Sequence, residues 1–184
     1  DGLDAETAEE LERVLAPGGT VYLLGGPQAL APAVAEAVAD LGLEARRLAG
    51  SDRIETALRI ADEVRSLHRD GGQVAVARAD GPASAAWVDA ATASAWAAAS
   101  GNPVVVTPSH HLDPRVRAWL DATGSSSTVL LGGEDALSAT VSADLGDATR
   151  LDGATRADTA ARVASSLWGS ERREGHFTIV DGWN

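Results

Sequence analysis

A chain that copies its own segments must fold as one structural unit used more than once, and two blocks of this chain each occur twice. Thr20-Val21-Tyr22-Leu23-Leu24-Gly25-Gly26, followed by Ala29-Leu30, returns as Thr128-Val129-Leu130-Leu131-Gly132-Gly133, followed by Ala136-Leu137. Arg47-Leu48-Ala49-Gly50-Ser51-Asp52-Arg53-Ile54-Glu55-Thr56-Ala57 returns as Arg150-Leu151-Asp152-Gly153-Ala154-Thr155-Arg156-Ala157-Asp158-Thr159-Ala160. The copies stand 108 or 107 residues apart in the first block and 103 in the second, so the later copy is four residues shorter between its blocks. A trimmed loop, at 42–44 of the first copy, is the expected place of the loss. The ends echo the interior as well: Leu3-Asp4 matches Leu112-Asp113, and 177–182 resembles 74–81. The chain is therefore expected to start and stop in mid-unit. It begins at Asp1 without a charged-then-apolar leader and reads as a processed or excised piece.

Short β-branched runs alternate with Ala-rich stretches of helical length, which predicts an α/β fold of repeated βα units with a largely parallel sheet. Strands are expected at 21–24, 45–48, 74–78, 104–107, 129–131, 149–151 and 177–180. A helix over 32–41 would bury Val34, Ala37, Val38 and Leu41 on one face and stop at Gly42. The next has Ser51 or Asp52 as N-cap and Glu55 near the third helical position, with Ile54, Leu58, Ala61 and Val64 along one stripe. Pro103 and Pro108 bracket the strand between them.

Composition removes several chemistries. The 184 residues contain no Cys, and all 15 cationic side chains are Arg, set against 27 acids for a net charge of -12. Without Lys there is no phosphate-loop lysine or Schiff base, and without Cys no thiol nucleophile, disulfide or Cys-ligated metal. The field of so acidic a chain repels nucleic acid and anionic lipid, so an anionic ligand must be met locally by Arg. A spanning helix needs roughly 20 uninterrupted apolar residues. Even the run 83–100 is broken by Asp89 and by Ser and Thr, so no membrane insertion is expected.

A strand ending in Leu-Gly-Gly, then a helix, then a strand running into Arg-Leu-x-Gly-x-x-Arg-x-x-Thr-Ala, resembles the type 2 cell wall-binding repeat family. Between the copies, Asp89-Ala90-Ala91 is similar to that family's Asp-Ala-Leu helix motif, with Ala91 in place of Leu. Asn102-Pro103-Val104-Val105-Val106-Thr107 resembles its Pro-Ile-Leu-Leu-Thr strand, with Val in place of the Ile-Leu-Leu run. In the family's phase, 47–149 is one full repeat, 1–46 the C-terminal half of a preceding one and 150–184 the N-terminal half of a further one. The resemblance implies a Rossmann-like, noncatalytic module without a cofactor. Such modules sit on surface proteins of Gram-positive bacteria, often in threes, and hold attached enzymes or adhesins to cell wall polymers.

Each candidate site residue has a functional and a structural reading. Gly25-Gly26 and Gly132-Gly133 join a strand to a helix, where bare N–H groups hold an anion; equally, paired glycines permit a tight turn and close helix packing. Arg53 and Arg156 offer planar forks for phosphate or carboxylate, or tie their helices to Asp80, Asp89 or another unit. Asp89 either contacts ligand or bonds backbone at an interface. Thr107 closes a strand at the end where open α/β sheets place ligands, with Pro108 and Ser109 beside it. His110-His111 lacks a third partner at metal-ligand spacing, so no metal is expected. Trp87, Trp96, Trp119, Trp168 and Trp183 either stack on sugars or pack in the core.

The leading expectation is a wall-attachment module for an anionic or teichoic-type secondary polymer, located at the cell surface. Arg53, Arg156, Asp89 and Thr107 are its foremost ligand contacts. A structural or self-associating domain without glycan binding is the alternative, its terminal halves completing each other or packing on neighbouring repeats. No Gly-x-Ser-x-Gly elbow and no His-Glu-x-x-His pair supports an enzyme.

Overall fold

The computed structural model describes residues 2–68, 72–81, 88–125 and 127–167. The chain divides into two units, Asp1–Ile60 and Ala61–Asn184. It is an α/β protein with parallel sheets, as the alternating pattern requires.

The first unit opens with α1 (Ala5–Val14), capped by Asp4, whose Oδ1 accepts the Thr7 N–H at 2.9 Å. β1 (Thr20–Leu24), α2 (Pro32–Asp40) and β2 (Glu44–Leu48) form a βαβ crossover whose strands pair in parallel from Thr20↔Glu44 to Leu24↔Leu48. Leu23, Val34, Val38 and Leu43 are buried there, two of them on the predicted face of α2. α3 (Arg53–Leu67), within which the division between units falls, buries Ile54, Leu58 and Ala61 along the predicted stripe. Its start is held by both candidate caps: Asp52 Oδ1 accepts the Glu55 N–H, and Glu55 Oε2 accepts from the Ser51 N–H and hydroxyl.

The second unit contains β3 (Gln73–Arg78), α4 (Val88–Thr92), α5 (Ser94–Ser100), β4 (Val104–Thr107), α6 (Pro114–Thr123), β5 (Ser127–Leu131), α7 (Ala139–Leu145), β6 (Thr149–Leu151) and α8 (Arg156–Leu167). Its strands run in the order β4-β3-β5-β6, every pair parallel. Val74, Ala75, Val76 and Ala77 are inaccessible, as in a parallel strand covered on both faces. Ala75, Ala77, Val129, Leu131 and Leu151 form one core with Ala93 and Trp96 of the α4–α5 region and Val163 of α8. Asp113 caps α6 through the Arg115 N–H at 2.9 Å, so the two matching Leu-Asp pairs both precede a capped helix. The strand expected at 177–180 lies outside the described residues.

The copied blocks keep the same register, Leu24 opposite Leu48 and Leu131 opposite Leu151. The four missing residues are not a trimmed loop. The links 41–43 and 146–148 are equally long, while α7 and β6 are each two residues shorter than α2 and β2. Shortening helix and strand together keeps the crossover closed over the same strand pair. The boundaries at 46/47 and 149/150, read from the family's phase, cut through β2 and β6.

A repeated bond pattern joins the blocks. Arg47 Nη1 donates to the Gly25 carbonyl at 2.8 Å; Arg150 Nη1 donates to the Gly132 carbonyl at 2.8 Å and its Nη2 to the Leu137 carbonyl at 2.8 Å. The Gly50 N–H donates to Thr56 Oγ1 at 2.9 Å, and the Gly153 N–H to Thr159 Oγ1 at 3.0 Å. A Cβ on Gly50 would stand 2.7 Å from the Glu55 carbonyl carbon, and one on Gly153 2.6 Å from the Thr159 nitrogen. Glycine is required at both because the chain doubles back against its own helix.

Gly153→Ala is expected to lower stability by about 1–3 kcal/mol, read as a shift in denaturation midpoint. Gly26→Ala, with nothing within 4 Å of the added carbon, should change it by less than about 0.5 kcal/mol. The Ser51 hydroxyl and N–H hold the Glu55 carboxyl down to about 2 from its ordinary 4.5, with Arg59 assisting. That stabilisation is complete above 4.5 and disappears as pH falls through about 2. The melting-temperature gap between wild type and Glu55→Ala should therefore narrow across that window.

Candidate functional site

From β3 the chain crosses to β4 on one side, and from β5 it crosses to β6 on the other. Connections leaving adjacent parallel strands in opposite directions open a crevice at their carboxyl ends, the usual ligand position in such sheets. Arg78 ends β3 and Gly132 follows β5. Asp89 is the second residue of α4, which packs against both β3 and α8, and Arg156 is the first residue of α8.

These four residues converge. Gly132 has φ +95°, and a Cβ there would lie 2.7 Å from Asp89 Oδ2 and 2.9 Å from the Ala136 Cβ. Only glycine fits this backbone and this space, so the Asp89 carboxylate rests against bare main chain. Burial pushes the Asp89 carboxyl above its usual 3.8, and the nearby charges of Arg78 and Arg156 pull it down without cancelling that effect. Among the described residues, none donates a hydrogen bond to it. Asp152 Oδ2 lies 3.9 Å from where a Cβ of Gly133 would stand. The crevice thus gathers the guanidinium groups of Arg78 and Arg156 and the carboxylates of Asp89 and Asp152 around the second glycine pair, whose Gly132 carbonyl also takes a hydrogen bond from Arg150.

Of the residues nominated from sequence, Asp89, Gly132, Gly133 and Arg156 are gathered here. Gly25, Gly26 and Arg53 belong to the first unit, where Gly25 has φ +126° and Arg53 is an exposed first residue of α3. Neither glycine pair leads directly into a helix: α2 starts at Pro32 and α7 at Ala139, after intervening turns. The expected helix-dipole anion site at the glycines is therefore not formed. Thr107 is a further correction. It is fully buried, and its Oγ1 accepts the Asp113 N–H at 2.8 Å and donates to the His111 carbonyl at 3.2 Å, so it pins a loop and is closed to ligand. Ser109 is likewise engaged, its N–H and hydroxyl both bonded to Asp80 Oδ1.

Trp96 is buried in the core and offers no face to a sugar. Trp119 donates its Nε1–H to Asp62 Oδ1 at 2.6 Å, and Arg65 sits 5.8 Å from its ring centre. Trp87, Trp168 and Trp183 lie outside the described residues. No group of three or more His, Asp or Glu converges on a metal position among the described residues. No helix among them is long and apolar enough to cross a membrane. Arg78 was missed in the sequence reading. Its signal was a lone charge closing the otherwise apolar run 74–77 at the carboxyl end of a strand.

The family model described as cell wall binding domain 2 (CWB2) matches residues 47–142. The N-acetylmuramoyl-L-alanine amidase LytC of Bacillus subtilis (strain 168) is 29% identical over 167 residues, covering 91% of this chain and 32% of the amidase. Among solved structures, Cwp8 from Clostridium difficile is similar at 30% identity and a TM-score of 0.73, covering 88% of this chain and 27% of Cwp8. Cwp6 from Clostridium difficile shares the fold at 23% identity and a TM-score of 0.80, over 91% of this chain and 26% of Cwp6. The chain thus spans about a third of the amidase's length and about a quarter of each Clostridium protein.

Because burial outweighs the arginines at Asp89, Asp89→Asn should raise the melting temperature at neutral pH, where the wild type must desolvate a charge to fold. The two proteins should converge as pH falls below the ordinary 3.8, where both side chains are neutral in folded and unfolded chains alike. A variant less stable at neutral pH would show instead that attraction to the arginines dominates.

Proposed function

The chain belongs to the cell wall binding domain 2 family, and from that premise we propose that it is a noncatalytic module attaching a larger surface protein to a secondary polymer of the cell wall. The observation that carries this reading is the crevice between β3 and β5, where Asp89, Arg78 and Arg156 meet at Gly132 inside a parallel sheet. Positive guanidinium groups at the mouth of this crevice favour the approach of an anionic wall polymer. Their local charge offsets, at short range, the repulsion of a chain carrying a net charge of -12. The module acts at the cell surface, and its work is binding.

A second reading, association with neighbouring repeats or a second copy, rests on a different observation. Leu24 is 52% exposed, whereas its repeat counterpart Leu131 is wholly buried. Leu131 belongs to β5, which lies between β3 and β6; β1 pairs with β2 alone among the described strands. An open parallel edge carrying an exposed leucine favours pairing with another chain segment.

Cosedimentation with sacculi from a Gram-positive bacterium, before and after hydrofluoric acid removes the secondary polymers, tests attachment. The wild type should pellet with intact sacculi only. Arg156→Gln should weaken this about tenfold or more, the scale of one lost charge-assisted contact. Undiminished pelleting with stripped sacculi would place the ligand in the peptidoglycan itself. Concentration-dependent mass in solution without pelleting would favour the association reading.

A further inference from the structure

The chemistry of the crevice specifies what part of a polymer it takes, on the premise that the chain binds wall polymer at all. A carboxylate donates nothing and offers about four acceptor sites on its two oxygens. Asp89 is half-buried, receives no hydrogen bond from the described residues, and is the second residue of α4, so it does not cap that helix. Its place is kept by Gly132, whose missing side chain leaves the space that Oδ2 fills. A group partly removed from water, with its acceptors unused, calls for a ligand that brings donors.

Phosphate and carboxylate groups bring acceptors and negative charge, and both are wrong beside Asp89. Sugar hydroxyls bring donors without charge. Two hydroxyls on adjacent ring carbons match the two oxygens of one carboxylate. We infer that Asp89 accepts hydrogen bonds from a pair of adjacent hydroxyls on an uncharged sugar unit of the polymer, so that the crevice reads sugar identity and any anionic groups of the polymer lie outside it.

The full 184-residue chain is titrated against sacculi left untreated, reduced with borohydride alone, or oxidised with periodate and then reduced. Periodate cuts the bond between carbons bearing adjacent hydroxyls and leaves phosphates and carboxylates in place. Wild-type binding should fall tenfold or more after periodate and be unchanged by borohydride alone. Asp89→Asn, shown to be folded by its circular dichroism melt, should bind untreated sacculi at least tenfold more weakly and show little further loss after periodate. Wild-type binding that survives periodate, or undiminished binding by the folded variant, overturns this inference and leaves wall attachment standing. Failure of the wild type to bind untreated sacculi overturns both. If the variant does not fold, the periodate arm with the wild type decides alone.

Discussion

The bond from a strand arginine to the carbonyl of a glycine turn organises each repeat. Arg150 spans from β6 to the turn after β5, reaching the Gly132 and Leu137 carbonyls together, and Arg47 makes the equivalent reach from β2 to Gly25. Neighbouring parallel strands share backbone bonds along their length, yet their carboxyl ends feed loops that have no ladder to hold them. A planar guanidinium with several fixed donors supplies the missing partner for loop carbonyls that burial would leave unsatisfied. Lysine, a single point charge on a flexible stem, would not hold two carbonyls at fixed separation. The second half of each motif completes the turn into the following helix, through Gly50 with Thr56 and Gly153 with Thr159.

With those turns fixed, the crevice in the second unit becomes a consequence of topology. Strand order β4-β3-β5-β6 sends the connections after β3 and β5 to opposite sides, and the opening between them is bordered by Arg78 at the end of β3, Asp89 in α4 and Gly132 after β5. The buried strands follow the usual economy of burial, apolar in the core and with the polar groups of Thr107 and Ser109 bonded. Asp89 departs from it. Its carboxylate is held partly out of water with charge neighbours but no donor among the described residues, and local rules of this kind are broken mainly where a ligand completes the set.

Much of this was legible in the residues. Alternation of β-branched and Ala-rich runs located the described strands to within two residues, and the repeated blocks are found in two crossovers of one register, Leu24–Leu48 and Leu131–Leu151. The candidate site was legible in part. Asp89, Gly132, Gly133 and Arg156 were nominated from motifs and are brought together, whereas Thr107 was nominated from its position on a strand and spends its hydroxyl on a loop. A threonine at a strand end gives no sign of whether its side chain faces the crevice or the core. Arg47 and Arg150 stood in the repeated motif, but a one-dimensional pattern does not reveal that their partners are backbone carbonyls 22 and 18 residues earlier.

What the sequence determined by itself is periodic and local: the α/β alternation, the helix start at Ser51 and Asp52, and the repeated blocks. These follow from interactions within a few residues, where spacing alone decides who meets whom. Only the tertiary structure decided that Arg78 and Asp89 share a crevice with Gly132 and Arg156, and that Leu24 is exposed where Leu131 is buried. Strand order sets those outcomes, and it depends on which edges pair after the crossovers have formed. Residues with the same neighbours in sequence therefore end in different surroundings, because a side chain's exposure and charge environment come from strands and helices distant along the chain.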